Sequence, residues 1–272
     1  MKNNTFVKIW NIIYPIFLYY VVSNVVIALA VTALSLTEER YREVYTLLQL
    51  IAMIIALPVL YRFWRQDKLL CTVFHQRTEN GWKESDKRTR IGNAVLTLVC
   101  GALAGIVLNN LIGATGLTEL STAYQEVTNR FFAPDVWVEL VSFGIVAPLA
   151  EELLYRGIVY GRLSDWMSIP VAALVSALVF SGLHFNIVQF AYAFPMGLLL
   201  VFFLERCHSL IYAILGHVGA NLLTVLRVET GILNWMEQSQ VIFWGSTIAF
   251  AVLCLLFIWL LNGKKINMRA AK

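Results

Sequence analysis

The sequence predicts an all-α, polytopic membrane protein of about eight transmembrane helices, with both termini cytoplasmic. Three observations carry this. Of 272 residues, 59% are hydrophobic and only 14% charged, against about 45–50% and about 25% in soluble domains. The mean hydropathy is +0.69. Apolar runs near the length that crosses a bilayer, about 20 residues, recur along the whole chain. A soluble enzyme, a disordered chain and a disulfide-stapled secreted domain are excluded. The chain reads as one integral membrane domain, 1–272. Its net charge of +4 is a matter of topology, and no nucleic-acid partner is expected.

The predicted spans are Ile9–Leu36, Tyr45–Trp64, Ile91–Thr115, Val136–Tyr160, Ile169–Phe185, Ile187–Leu204, Leu210–Leu226 and Val241–Leu261. The first follows Lys2 and Lys8 and contains Ala28-Leu29-Ala30, as a signal peptide would. It is longer than the 7–15 residues of a typical signal core, so it is read as a retained helix. With the N-terminus cytoplasmic, 16 of the 21 basic residues fall on the cytoplasmic side and four opposite, the bias that bilayer insertion imposes. Arg162 is counted among the sixteen, as a loop residue; Arg156 lies inside a span. The loop from Arg65 to Arg90, with its Asn80-Gly81 turn, reads as a solvated segment at the membrane surface. Trp10, Trp64, Trp137 and Trp244 lie near span ends, where indoles favour the interface. Cys71, Cys100, Cys207 and Cys254 form no CxxC pair, so neither a disulfide nor a thiolate zinc site is indicated.

A charge near the bilayer centre costs about 2.5–3.5 kcal/mol on insertion scales. The fourth span nevertheless holds Glu151-Glu152-Leu153-Leu154-Tyr155-Arg156. Glu152 and Arg156 are i and i+4, on one helix face, and can pair as a structural ion pair. Glu151 is rotated about 100° away with no cation one turn off, so it is the spare acid. Two further i, i+4 pairs follow, Phe180 with His184 and His217 with Asn221. Gly216 and Gly219 flank the second pair and permit close helix approach. One carboxylate, two imidazoles and one carboxamide make a hydrolytic set. The carboxylate, helped by an imidazole, can take a proton from water, and the other imidazole and the amide can donate to an oxyanion. Counted along the helices, Glu151, His217 and Asn221 fall about 14, 10 and 16 Å from the cytoplasmic ends, while His184 falls about 22 Å deep. His75 and His208 have no partner at chemical spacing. Asn186 is suited either to orient His184 or to cap a helix.

Together these motifs resemble the CAAX-protease and bacteriocin-processing family, whose signature is EExxxR, FxxxH and HxxxN in the later spans. All three are intact and in order here, at Glu151-Glu152-x-x-x-Arg156, Phe180-x-x-x-His184 and His217-x-x-x-Asn221. The resemblance covers about 136–226, the expected catalytic core. It implies a glutamate-dependent intramembrane endopeptidase acting on a peptide or on a protein's C-terminal segment. Glu151 and His184 would activate water, and His217 and Asn221 would stabilise the oxyanion. No HExxH is present, and no cofactor or metal is expected, although two histidines and a carboxylate are a possible zinc set. The implied partners are a peptide or membrane-associated protein substrate and the bilayer. The alternatives are a non-catalytic bacteriocin-immunity or scaffold protein and, ranked last for want of paired halves, a proton-coupled transporter.

Overall fold

The computed structural model describes residues 5–70, 74–76, 78, 86–131 and 135–270, the side chains of 68–70, 129–131 and 263–270 excepted. The Asn80-Gly81 turn, Cys71, Lys2, Arg77, Lys83 and Lys272 lie outside the described residues. Within them there is no strand. The helices are α1 (Thr5–Ala33), α2 (Glu38–Leu70), α3 (Lys87–Gly113), the short α4 (Leu117–Leu120) and α5 (Thr122–Phe131), α6 (136–164), α7 (Ile169–Gly182), α8 (Ile187–Cys207), α9 (Leu210–Thr230) and α10 (Gln240–Ala270). The chain is a multi-pass membrane protein. Each apolar run read from the sequence lies on one of these helices. Six of them, α1, α2, α3, α8, α9 and α10, are long and apolar enough to cross a membrane. Of the other two, α6 is interrupted by charges and α7 has only 14 residues. The stretch between α3 and α6, read as a loop, instead folds into α4 and α5, the latter packed on α2 and α8.

Helix boundaries follow local chemistry. Asp86 caps α3, accepting from the Thr89 amide at 2.8 Å, and that bond holds its carboxyl below the usual range. Asn186 caps α8 by accepting from the Gln189 amide at 2.8 Å. Helix α6 is continuous but contains two π-helical stretches, Ser142–Val146 and Leu153–Tyr160. The first ends just before Pro148, which has no N–H to return to residue 144, so the turn widens rather than breaks.

Helix α6 packs against α1, α2, α7 and α9. Its neighbour α9 lies backbone-to-backbone on α3. A methyl group on Gly101 would run into the Gly216 carbonyl, and one on Gly219 into the Leu98 carbonyl. In lipid, where apolar association is weak, such close packing and the hydrogen bonds beside it join helices. Asn109 donates to Thr224 at 3.2 Å and Asn110 to Thr247 at 2.8 Å. The Cys100 and Cys254 thiols touch, at 3.3 Å, where α3 meets α10.

Arg162 corrects the charge map. It is not in a loop but in the last turn of α6, 8% exposed, clasping Asp67 of α2 through Nε and Nη2 at 2.7 and 2.8 Å. It also donates to the Asn11 carbonyl and to the Tyr14 hydroxyl of α1. Trp64 likewise departs from a purely interfacial role. It wedges against Gly157, where an added Cβ would stand 2.9 Å from the indole.

Overpacking at the α3–α9 contact has a clear expected cost. Gly101→Val should lower stability by at least about 2 kcal/mol. Gly245→Ala, where nothing lies within 4 Å, should be neutral or slightly stabilising. Thermal unfolding in matched detergent measures both.

Candidate active site

The centre of the site is a buried carboxylate. Glu152 is fully buried, and its Oε1 accepts from Arg156 Nη1 at 2.8 Å and from His217 Nδ1 at 2.9 Å. A carboxylate paired with a guanidinium only accepts, so Nδ1 of His217 carries a proton. That bond fixes the imidazole and turns Nε2 toward Glu151, whose Oε2 lies 3.7 Å away. Glu151 is 26% exposed at the side chain, Glu152 not at all. The two adjacent acids therefore differ in kind. One is enclosed between two nitrogen donors; the other faces open space beside an imidazole.

Phe180 of α7 gathers the remaining groups. Its ring stands edge-on to His184 and His217, with centroids 5.1 and 5.9 Å apart, and to Tyr155 at 5.1 Å. The Arg156 guanidinium stacks over it at 4.3 Å, a cation–π contact suited to a desolvated arginine. Room for that guanidinium comes from Gly197 of α8, where an added Cβ would meet Nη2 at 3.0 Å. Arg156 is entirely buried, yet Nε and Nη2 have no hydrogen-bond acceptor, so the stacked ring compensates part of its lost hydration.

His184 sits just beyond α7, in a tight turn closed by Phe185 at φ 56°. Its Nδ1 lies 2.9 Å from the Phe180 carbonyl. A carbonyl only accepts, so Nδ1 holds the proton and Nε2 of a neutral ring offers its lone pair. Asn186 takes both roles the sequence allowed it: its side chain caps α8 and donates to the His184 carbonyl at 3.2 Å. The depth mismatch for His184 narrows because α6 runs on to Ser164. Glu151 then lies about 20 Å from that end. Asn221 lies one turn beyond His217 and donates through Nδ2 to the Phe143 carbonyl at 2.9 Å, inside the first π-helical stretch of α6. Gly144 beside it lets Leu222 approach. One amide N–H of Asn221 is thus used in joining α9 to α6, and the second remains.

Several neighbours were not singled out from the sequence. Tyr155 follows Glu151 by one turn, a spacing that would have signalled it. Tyr20 of α1 reaches Tyr155, the two hydroxyls 3.3 Å apart, with Tyr19 edge-on to Tyr20, and no sequence pattern marks either. Among the described residues, no three His, Cys, Asp or Glu side chains converge in a metal-ligating set. An apolar groove of about 920 Å³ between α2, α6 and α9 is lined by Leu149, Leu153, Leu210 and Ile214. Leu149 and Leu153 are each two residues from Glu151, so this groove lies on the opposite side of α6.

Residues 133–223, from the start of α6 to within α9, match the family described as "Type II CAAX prenyl endopeptidase Rce1-like". The site-bearing segment is thus similar to the CAAX-protease and bacteriocin-processing family. The chain is also similar to a protein of Bacillus subtilis (strain 168) described as "Putative membrane peptidase YdiL", 24% identical over 177 residues that cover 63% of this chain and 70% of that one. No solved structure matches the chain. The family segment holds Glu151, Glu152, Arg156, Phe180, His184, His217 and Asn221; α1, α2, α3 and α10 lie outside it.

Removing one partner of the buried cluster should be costly. Arg156→Met leaves Glu152 enclosed with only an imidazole, and an expected loss of about 3–5 kcal/mol should appear as a large fall in the unfolding temperature. Adding Glu152→Gln to it should restore part of that loss, because the uncompensated charge is then gone.

Proposed function

We propose that this chain is an intramembrane endopeptidase in which Glu151 is the general base of peptide-bond hydrolysis. The reading agrees with the family of the segment and with the CAAX-protease-like chemistry that this family implies. The observation that carries it is the contrast between the two acids. Glu152 is closed off by Arg156 and His217, whereas Glu151 is open on one side and lies 3.7 Å from His217 Nε2.

In this reading Glu151, with the free Nε2 of His184, takes a proton from water as it attacks the carbonyl. His217 Nε2, once it holds a proton, and the unused N–H of Asn221 donate to the oxyanion. Glu152 and Arg156 form the structural pair that keeps His217 in one orientation. The catalytic core is 136–226, both termini face the cytoplasm, and the substrate is a peptide or the C-terminal segment of a membrane-associated protein. Beyond Asn221, Arg227 links three helical segments. Arg227 donates to Asn110 at 2.6 Å and pairs with Glu237 at 3.1 Å. They serve as helix-joining contacts, which favours hydrolysis over transport.

Glu151→Gln is nearly isosteric and removes the base. Wild type and variant, in matched membranes at equal protein level, are compared by mass spectrometry of released peptides. Peptides released by wild type and reduced at least about 100-fold in the variant are expected, the scale of a lost general base. Identical profiles would overturn the reading.

A further inference from the structure

Helix α7 carries Phe180 and leads into His184, yet it is too short to be fixed by the bilayer alone. Its 14 residues span about 21 Å, against about 30 Å of hydrocarbon. Its height on the neighbouring helices has to be set by contacts with them. On one side it rests on α8. An added Cβ at Gly197 would meet the Ala177 Cβ at 3.2 Å and Arg156 Nη2 at 3.0 Å. On the other side it meets the second π-helical stretch of α6. There the Ser176 hydroxyl donates to the Tyr155 carbonyl at 3.0 Å. Ser176 is fully buried. Among the described residues, no other hydrogen bond joins α7 to α6.

A hydroxyl inside a helix commonly bonds back to the carbonyl four residues earlier. Thr97, Thr224 and Ser246 do so here. Ser176 does not, and its one proton goes across to α6. The acceptor is the carbonyl of the residue before Arg156, in the widened turns that follow Glu152. A carbonyl has two lone pairs, so it can serve its own helix and this donor together. One turn further along α7 comes Phe180. Its ring meets Arg156, Tyr155 and His217, and its carbonyl holds His184 Nδ1. The Ser176 bond is therefore the polar tie nearest to the ring that gathers the site.

We propose that Ser176 is a positioning residue for Phe180 and His184: its bond to the Tyr155 carbonyl sets the register of α7 on α6, and so holds Phe180 against Arg156 and His217, with His184 behind it. This rests on the reading of Glu151 and His184 as the groups that activate water. Without the bond α7 is free to slide along α6 and carries His184 with it. A displacement of about 1 Å at a catalytic group costs up to about 100-fold in rate, so the loss falls on turnover more than on substrate binding.

The test uses the purified full chain in nanodiscs and compares Ser176→Ala with Ser181→Ala. Ser181 is also buried on α7, but its hydroxyl bonds within the helix, to the Leu178 carbonyl at 3.2 Å. Both variants lose one buried hydroxyl, and only the first loses a tie to α6. Proton and nitrogen-15 NMR of labelled histidine reads the ring current of Phe180 at His217 and needs no substrate. In Ser176→Ala the His217 ring signals should shift or broaden, and in Ser181→Ala they should match wild type. Unchanged His217 signals in Ser176→Ala, or equal changes in the two variants, would overturn the proposal whether or not the protein is a peptidase. Shifted signals alongside identical peptide profiles for wild type and Glu151→Gln would keep Ser176 as the tie and discard the peptidase reading. For any peptide whose release depends on Glu151, Ser176→Ala should lower kcat roughly 10- to 100-fold and leave KM nearly unchanged. Ser181→Ala should leave both nearly unchanged, and an equal fall of kcat in the two variants would refute a positioning role.

Discussion

The rest of the site depends on the buried carboxylate of Glu152. In an enclosed, low-dielectric place it is tolerable only because Arg156 and His217 both donate to it. That necessity has two consequences. It pins α9 to α6 through an imidazole, and it leaves the second nitrogen of that imidazole facing Glu151. An anchored ring is worth more here than a free one, since the bond on one nitrogen sets the state of the other. Phe180 extends the same arrangement to a third helix. It is a flat surface on which the guanidinium stacks and against which both histidine rings stand.

The scaffold supplies the precision that this needs. Gly101, Gly216 and Gly219 bring α3 and α9 into backbone contact, which fixes the height of His217. The Arg162–Asp67 clasp, with its reach to Asn11 and Tyr14, ties α1 and α2 to the end of α6. Helix α1 is otherwise largely exposed along its length, with Phe17 and Leu29 both about two-thirds exposed. Such a face is suited to lipid, and the clasp explains how a helix with few buried residues still keeps Tyr20 against Tyr155 of α6.

Much of this was legible in the sequence, because composition and helical spacing are local signals. The apolar runs located the long helices, and the i, i+4 pairs placed Glu152 on the face of Arg156 and His217 on the face of Asn221. What the sequence left open depends on contacts between distant elements. The spacing of Glu152 and Arg156 says nothing of His217, which is 65 residues away and completes the cluster. Arg162 looked like a loop cation because its partner Asp67 is 95 residues off. The π-helical stretches arise from Pro148 and from packing, and a 3.6-residue count cannot foresee them. Tyr19 and Tyr20 are two aromatics among many in an apolar helix, and only the fold gives them a neighbour.

The most direct test of this account is the state of the His217 ring. Nitrogen-15 NMR of histidine-labelled protein in nanodiscs distinguishes a protonated ring nitrogen from a bare one. The account predicts a fixed, protonated Nδ1 at His217 in the wild type near neutral pH, and an exchanging ring in Glu152→Gln. A bare Nδ1 in the wild type, or a ring indifferent to Glu152→Gln, would contradict the claim that Glu152 orients this histidine toward Glu151.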